Sequence, residues 1–377
     1  MTNALFTLDR FSISLFVVLC VAVAVPGQAR SDADASQHER LDASVRVVAP
    51  MTLQIDTPQG EGALPVYANR DINAVAPDVK QVFIVIHGTL RNADTYFETG
   101  MHVLAKAGEP AKTVMVVAPQ FLTTSDAKAF SLSPQTLAWT QEGWKAGDPA
   151  RQPEPISSFS ALDALLAHFG DRRLYPALSS VVVIGHSAGA QLVQRYAVVG
   201  REGGLVDAGI AVRYVVANPS SYLYFDRQRP GSKSDALASC PGVSRWKYGL
   251  DFSPPYVSSQ STADLESRYV ARKVVYLLGT ADTNPYTHYI DRSCAAMAQG
   301  PNRLARGLTY FGYLESRHYS GFDQKIVEVP GIGHDNLGMF TSECGMAVLF
   351  DQTLPSSCPV VDGTAPNIGT GRYSKAD

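Results

Sequence analysis

The stretch that decides the fold is Val181-Val-Val-Ile-Gly-His-Ser187-Ala-Gly-Ala190, which continues directly into Gln-Leu-Val-Gln-Arg-Tyr-Ala-Val-Val199. A run of β-branched residues enters a Gly-X-Ser-X-Gly pattern and leaves it as a helical sequence. A strand that turns at once into a helix strains the backbone at the turn, and small neighbours relieve the crowding. The pattern alone also fits an ordinary turn, but these flanks make Ser187 a candidate nucleophile. The amide of Ala188 and the helix N-terminus would stabilise a developing oxyanion beside it.

Similar apolar runs occur along the rest of the chain and indicate the fold class. Short continuous apolar runs are typical of strands that are buried on both faces of a parallel sheet. Helical sequences alternate with them, at Phe159–Phe169 and Ala188–Val199. This alternation predicts an α/β fold with a mostly parallel, doubly wound sheet and helices on both faces. The predicted strands are Val82–Ile86, Val114–Ala118, Val181–Ile184, Val212–Ala217, Val274–Leu278 and Ile326–Val329.

Two segments are too long to be simple connections between strands. Residues 219–272 and 283–325 interrupt the pattern, and the second contains a predicted helix around Leu304–Leu314. Long excursions at one edge of such a sheet are often lids or pocket walls, but they can equally be surface decoration. The sequence leaves both interpretations open within a single domain that spans residues 46–377.

The strand, turn and helix around Ser187 resemble the α/β-hydrolase superfamily, in particular its secreted esterase- and lipase-like members. The resemblance covers nearly all of the chain after the first 29 residues, and it implies an acid and then a histidine downstream of the nucleophile. The strand Val274–Leu278 ends in Gly279-Thr-Ala-Asp282, which looks like the acid turn of the family. Asp282 is therefore the predicted acid, although an Asp after a strand can simply cap a turn. Asp226 and Asp291 are the alternatives, while Val212–Ala217 ends in Asn218-Pro219 and offers no carboxylate.

The histidine that the resemblance implies should follow the last strand. Ile326–Val329 leads into Pro330-Gly-Ile-Gly333-His334, so His334 is the predicted general base. His186 is the variable residue of the Ser187 turn, and His288 and His318 lie in the second insertion, where solvated or core positions are common.

The oxyanion loop of the family corresponds to His87-Gly88, directly after Val82–Ile86. The amide of Thr89 would be the second oxyanion donor beside that of Ala188, or that of Leu90 if the loop is shifted by one residue. Strands also end in His-Gly for packing reasons alone, which is the alternative here.

Residues that contact the substrate are harder to predict. Candidates next to the predicted site are His87, Gly88, Leu90 and His186, with Tyr96 at the start of the following helix. Trp139 and Trp144, within Leu137–Gly147, could form a stacking wall for an aromatic or sugar group, or they could pack in the core. Tyr222 follows the strand Val212–Ala217, at the sheet edge where ligands bind in open α/β folds, and could instead anchor the insertion.

The N-terminus predicts export to the periplasm or the exterior. Phe11–Val25 is apolar and is followed by Gly27 and Ala29, which is typical of a secretory signal cleaved after Ala29. The alternative, a membrane anchor, needs about 20 apolar residues, so we expect no stable membrane insertion of the mature chain. Residues 30–45 are polar and predict a loose terminus.

Cysteine usage agrees with an oxidising compartment. Cleavage of the signal segment removes Cys20. The remaining cysteines, which allow three disulfide pairings, are Cys240, Cys294, Cys344 and Cys358. We favour Cys344 with Cys358 and Cys240 with Cys294, and four buried thiols are the alternative. No CxxC pair occurs, so a zinc site is not expected.

The formal net charge is −3, so neither nucleic acid nor an anionic membrane is indicated as a partner. The sequence contains no phosphate-binding or dinucleotide-binding glycine motif, and we expect no metal or cofactor. The predicted function is a secreted serine hydrolase that cleaves small or oligomeric carboxylic esters through an acyl-enzyme. An alternative function is that of a peptidase or amidase, which would use the same residues on another class of substrate. The remaining alternative is a non-catalytic binding protein with the same fold.

Overall fold

The computed structural model describes residues 43–232, 237–318 and 322–362, together with Met1 and Leu41. The predicted signal segment, apart from Met1, lies outside these residues. The described chain forms a nine-stranded sheet in the order β1-β2-β4-β3-β7-β8-β9-β10-β11 and a two-stranded sheet of β5 and β6. The strands are β1 Met51–Thr57, β2 Gly60–Ala68, β3 Gln81–Ile86, β4 Val114–Pro119, β5 Leu122–Thr123, β6 Ala138–Trp139, β7 Ser180–His186, β8 Ala211–Ala217, β9 Lys273–Gly279, β10 Gln324–Val329 and β11 Val360–Asp362.

The six predicted strands form the parallel centre of this sheet. Strands β4, β3, β7, β8, β9 and β10 are parallel to one another, whereas β1, β2 and β11 are antiparallel additions at the two edges. The predicted fold class is therefore confirmed, and the carboxyl ends of β7, β8, β9 and β10 meet along one edge.

Helices cover both faces of the sheet. Side chains of a strand alternate between its faces, and in β3 Val82, Ile84 and Ile86 belong to one hydrophobic core while Phe83 and Val85 belong to another. The helices are α1 Ala93–Ala107, α2 Thr124–Ala129, α3 Ser158–Phe169, α4 Ala188–Val199, α5 Pro255–Ser258, α6 Thr262–Val270, α7 Cys294–Met297, α8 Arg303–Arg317, α9 Asn336–Thr341 and α10 Glu343–Leu349, with 3₁₀ turns at Glu109–Thr113, Trp144–Ala146 and Glu202–Gly204.

The N-terminal part of the domain differs from the prediction in two respects. The hairpin of β1 and β2 was not predicted, because β1 buries only alternate residues, Leu53 and Ile55. The predicted loose terminus also extends too far. Val45 is buried, and its backbone N–H donates to Asp126 Oδ1 at 2.8 Å, so the chain is already fixed to the domain there.

The cysteines form two pairs at disulfide distance, Cys240 with Cys294 and Cys344 with Cys358. These are the favoured pairs of the three possible pairings. The first pair connects insertion 219–272 to insertion 283–325, and the second lies near the end of the described chain. Over the described residues, no helix combines the length and the apolar character needed to cross a membrane.

Candidate active site

Ser187 lies at the sharp turn between β7 and α4. Its backbone has φ 58° and ψ −120°, a strained conformation for a residue with a side chain, and its N–H donates to the carbonyl of Ala217 at 3.0 Å. The flanking glycines are required by close backbone contacts. A Cβ at Gly185 would lie 2.4 Å from the carbonyl oxygen of Gly189, and one at Gly189 would lie 2.4 Å from that of Ile86. The turn therefore tolerates no side chain at Gly185 or Gly189, the positions two residues before and after the serine.

Three predicted residues meet at the carboxyl edge of the sheet. Ser187 Oγ lies 2.9 Å from His334 Nε2, and His334 Nδ1 lies 2.8 Å from Asp282 Oδ2. With the proton on Nδ1, the imidazole donates to the carboxylate and accepts from the serine hydroxyl. The residues follow β7, β9 and β10, so the sheet itself brings them together.

The imidazole of His334 is held in its neutral form. Burial is the main cause that lowers its pKa below the ordinary histidine value; Asp282 opposes this effect, and the charge of Arg303 adds to it. The ring of His186 lies 4.5 Å from that of His334, centroid to centroid, and burial also lowers the pKa of His186. Two adjacent imidazoles are therefore uncharged near neutral pH, which suits His334 to accept a proton.

Asn218, at the end of β8, connects the turns that carry the acid and the histidine. Its Oδ1 accepts from the N–H of Gly279 at 3.0 Å, and its Nδ2 donates to the carbonyl of Gly333 at 3.2 Å. Asn218 is completely buried. In the sequence, Asn218 stood out only as a strand end that offers no carboxylate. Its place at the end of a strand next to β7 was the signal that could have identified it.

Arg303, at the start of α8, lies behind the acid. Its Nη1 is 3.5 Å from Asp282 Oδ1 and donates to Thr287 Oγ1 at 2.6 Å, and both charged side chains are almost completely buried. Asp282 therefore directs one oxygen to His334 and the other to a guanidinium. Arg303 was not predicted, because nothing in the local sequence of α8 marks an arginine that faces the sheet edge.

The loop after β3 is fixed by buried polar contacts. Gln141 Nε2 donates to the carbonyl of Thr89 at 2.8 Å, and Arg91 forms a buried ion pair with Asp126 at 2.7 Å. Within the described residues, the N–H of Thr89 has no hydrogen-bond acceptor in the protein. Ala188 opens α4, where the first amides of a helix lack intrahelical acceptors. Both residues line the same cavity as Ser187, and Leu90 is exposed beside them.

The two tryptophans and His87 lie in the core and do not form a wall of the site. Trp139 and Trp144 are completely buried around Phe121, which corrects the predicted stacking wall in favour of its core alternative. His87 is also buried. Its Nε2 accepts from the N–H of Phe121 at 3.0 Å and its Nδ1 donates to the carbonyl of Gly88 at 2.8 Å, so neither nitrogen is left for a substrate.

The remaining predicted contacts are also internal. Tyr96 Oη lies 3.3 Å from His186 Nδ1, and both residues are buried. They therefore support the turn that carries Ser187 from inside the protein. A Cβ at Gly88 would lie 2.6 Å from Tyr96 Oη, so this glycine permits that packing. Tyr222 is completely buried and stacks on Tyr310 with the ring centroids 4.6 Å apart, so it anchors its insertion.

The alternative acids are engaged elsewhere. Asp226 forms an ion pair with Arg317, and Asp291 accepts from Tyr248 Oη at 2.5 Å. Among the described residues, no group of histidine, cysteine, aspartate or glutamate is arranged to hold a metal ion.

A cavity of about 260 Å³ opens beside Ser187. The stretch Leu137–Gly147 lines it through Glu142 and Lys145. Both insertions contribute to its walls, so they form the pocket here. The lining is mostly polar and consists of Leu41, Thr89, Glu142, Lys145, Ser187, Ala188, Gln191, Ser220, Lys247, Tyr248, Tyr289, Ile290 and Asp291.

Comparisons with known proteins agree with this architecture. The chain is similar to poly(aspartic acid) hydrolase-1 from Sphingomonas sp. KT-1, with 24% identity, a TM-score of 0.55, and coverage of 79% of this chain and 96% of that chain. It is also similar to LpqC, poly(3-hydroxybutyrate) depolymerase from Bordetella parapertussis, with 21% identity, a TM-score of 0.55, and coverage of 85% and 96%. A search of curated proteins finds no match.

A family model described as the alpha/beta hydrolase family matches residues 83–343, which is more than half of the chain. The matched region contains Ser187, Asp282 and His334, together with the central strands of the sheet. This protein belongs to the alpha/beta hydrolase family.

Proposed function

We propose that this protein is a serine hydrolase that cleaves carboxylic esters, with Ser187 as nucleophile, His334 as general base and Asp282 as the residue that orients it. The observation that carries the proposal is the continuous chain of hydrogen bonds from Ser187 Oγ through His334 to Asp282, at 2.9 and 2.8 Å. A serine hydroxyl alone is a weak nucleophile and needs such a base to become reactive.

In the first step, His334 Nε2 accepts the hydroxyl proton while Ser187 Oγ attacks the ester carbonyl carbon. The carbonyl oxygen becomes an oxyanion, which the amides of Ala188 and Thr89 stabilise. The tetrahedral intermediate then collapses, the bond to the alcohol oxygen breaks, and His334 gives its proton to that oxygen. The products of this step are a free alcohol and an acyl group bound to Ser187.

In the second step, His334 accepts a proton from water, and the resulting hydroxide attacks the acyl carbon. Collapse of this second intermediate returns the proton to Ser187 Oγ and releases the carboxylic acid. Asp282 holds the imidazole in the tautomer with its proton on Nδ1 and stabilises the imidazolium that forms in each step.

Labelling with a fluorophosphonate, followed by peptide mass mapping, tests the nucleophile. We expect one adduct, on the peptide that contains Ser187, and none in the Ser187→Ala variant. Turnover of p-nitrophenyl acetate and butyrate tests the reaction, and matched p-nitroanilides test the amidase alternative. A folded protein that forms no adduct would overturn the proposal, and faster turnover of the anilides would redirect it to amides.

We further propose that the protein is exported. The two cysteine pairs at disulfide distance support an oxidising compartment. N-terminal sequencing of the protein recovered from the periplasm or culture medium should begin at Arg30. Recovery only from the cytoplasm, with Met1 retained, would contradict export.

A further inference from the structure

Two lysines from distant parts of the chain converge in the cavity beside Ser187. Lys145 lies in the 3₁₀ turn Trp144–Ala146, and Lys247 lies in insertion 219–272. Lys145 Nζ is 2.6 Å from Glu142 Oε1, and Lys247 Nζ pairs with the other oxygen of the same carboxylate. The lysine side chains are only 8% and 17% exposed, so both ammonium groups are held inside the cavity wall.

A buried arginine fixes the backbone of both lysines. Arg195 lies on α4, two turns after Ser187, and is completely buried. It donates to the carbonyl of Lys145 at 2.9 Å and to that of Lys247 at 3.3 Å. It also contacts Gln191, one turn after Ser187, at 3.1 Å. The helix that begins at the candidate nucleophile therefore positions the lysine pair relative to it.

The hydrogen-bonding capacity of the two ammonium groups is only partly used. An ammonium group has three N–H donors, and among the described residues Glu142 is the hydrogen-bond acceptor recorded for each lysine. Asp291, the other acid in the lining, is engaged by Tyr248. Asp148 also interacts electrostatically with Lys247 and Arg195, but it does not line the cavity. Two lysines and the arginine behind them thus face two cavity carboxylates, Glu142 and Asp291, and Asp291 acts on Lys247 through its charge. Among the described residues, the lysine N–H groups that Glu142 does not use point to room for a further acceptor.

The ionisation of Lys145 supports the same interpretation. Burial lowers its pKa to about 8 despite the opposing effect of Glu142. One carboxylate therefore does not fully compensate the desolvation of this ammonium group, and a second anion would favour its charged form.

We propose that Lys145 and Lys247 form an anion subsite, so that the substrates of this site are esters that carry a free carboxylate near the scissile bond. This inference rests on the proposed ester hydrolysis at Ser187. A cavity of about 260 Å³ with charged walls suits a short, charged substrate better than a long acyl chain.

Two matched pairs of esters test the subsite. The first pair is mono-p-nitrophenyl adipate and its methyl ester, which differ by one charge on the acyl side. The second pair is 4-acetoxybenzoate and its methyl ester, which differ by one charge on the leaving-group side. The measured quantity is the ratio of kcat/KM for the charged and neutral members. We expect a ratio of about tenfold or more in favour of the charged member of at least one pair.

Variants assign that preference to the lysines. In Lys145→Met with Lys247→Met, the ratio should fall by about tenfold to a hundredfold, because hydrogen bonds to a charged group are lost. In Glu142→Gln, the ratio should rise, because the internal carboxylate that competes for the lysines is removed. Lys273→Met, at the opposite end of β9 and 62% exposed, is the control and should leave the ratio unchanged.

The outcomes separate this inference from the proposed function. Turnover of charged and neutral esters at equal rates would overturn the anion subsite and leave ester hydrolysis intact. A preference that persists in the double lysine variant would also overturn it. Turnover of neither ester by folded protein would instead reject the proposed function on which the inference rests.

Discussion

Two regions border the cavity but are built differently. The reactive edge carries Ser187, Asp282 and His334. The charged wall carries Glu142, Lys145 and Lys247. The first three residues follow β7, β9 and β10, and the parallel register of these strands sets their distances. The wall residues come from segments outside the sheet, and side-chain contacts hold them. The reactive edge is thus set by the sheet, whereas the charged wall is set by contacts between segments outside the sheet.

Contacts between distant segments hold the wall. Cys240 and Cys294 join the two insertions, and Tyr248 Oη donates to Asp291 across the same boundary. Arg195 supplies the link to α4. We therefore expect changes at the reactive edge to affect the chemical step with every ester, and changes in the wall to affect mainly which ester is used.

The largest expected effect comes from Asp282→Asn, which breaks the reactive edge. The amide cannot hold the imidazole in the required tautomer, so kcat should fall by about 10⁴-fold for charged and neutral esters alike. Steady-state turnover of both matched ester pairs measures this.

The matched control for that variant is Asp226→Asn. Asp226 is a partly exposed carboxylate that pairs with Arg317 and does not line the cavity. Its activity should remain within twofold of the parent. A fall of less than tenfold in folded Asp282→Asn would show that Asp282 does not orient the base.

The two cysteine pairs give a direct comparison of the wall with a region outside it. Replacing Cys240 and Cys294 by serine should lower kcat/KM by about tenfold to a hundredfold, because the insertions that form the wall can then shift. Replacing Cys344 and Cys358 should leave kcat/KM within twofold. Ester turnover by both double variants at a temperature where each is folded measures the difference.

Stability provides the control for this comparison. The pairs are separated by 54 and 14 residues, and loop-closure entropy gives losses of about 4 and 3 kcal/mol in the free energy of unfolding. Denaturant unfolding should therefore show losses of similar size for the two variants. If activity falls equally in both, the wall has no special dependence on Cys240–Cys294.

The sequence was sufficient to predict that Ser187, Asp282 and His334 lie together, because the signals that mark these residues are local. Gly185 and Gly189 lie between an apolar strand and a helical sequence, and this context indicates a strand-to-helix turn. Asp282 and His334 come shortly after apolar strands. The parallel sheet then supplies the long-range geometry. Asn218 also follows such a strand, but an amide that accepts from one turn and donates to another has no distinctive pattern in sequence.

The wall could not be predicted in the same way. The sequence left open whether Trp139 and Trp144, in the segment Leu137–Gly147, form a stacking wall or pack in the core. The structure buries both indoles against Phe121 and places Glu142 and Lys145 in the cavity lining. Which side of this segment faces the cavity depends on its tertiary packing. Lys247, from an insertion, completes the cluster, and no spacing rule connects it to Lys145.

The smallest expected effect comes from Arg303→Met. Arg303 belongs to an insertion but contacts the reactive edge, so this variant tests whether the two regions act separately. The lowered pKa of His334 places the acid limb of the kcat/KM profile below pH 6.5, and activity should fall as the pH drops through that pKa. In Arg303→Met the lowering effect of the guanidinium is lost. The pKa of His334 should then rise and move the acid limb to higher pH.

Thr287→Val is the control, since it removes a hydrogen-bond partner of Arg303 at 2.6 Å but keeps the charge beside Asp282. Its acid limb should stay where it is in the parent protein. Arg303→Met also removes a buried ion pair, so circular dichroism must first establish that the variant is folded at each pH. An acid limb that stays in place in folded Arg303→Met would mean that the insertion supports Asp282 only by packing. An upward shift would mean that the insertion adjusts the base electrostatically, so that one element outside the sheet influences the chemical step as well as the pocket.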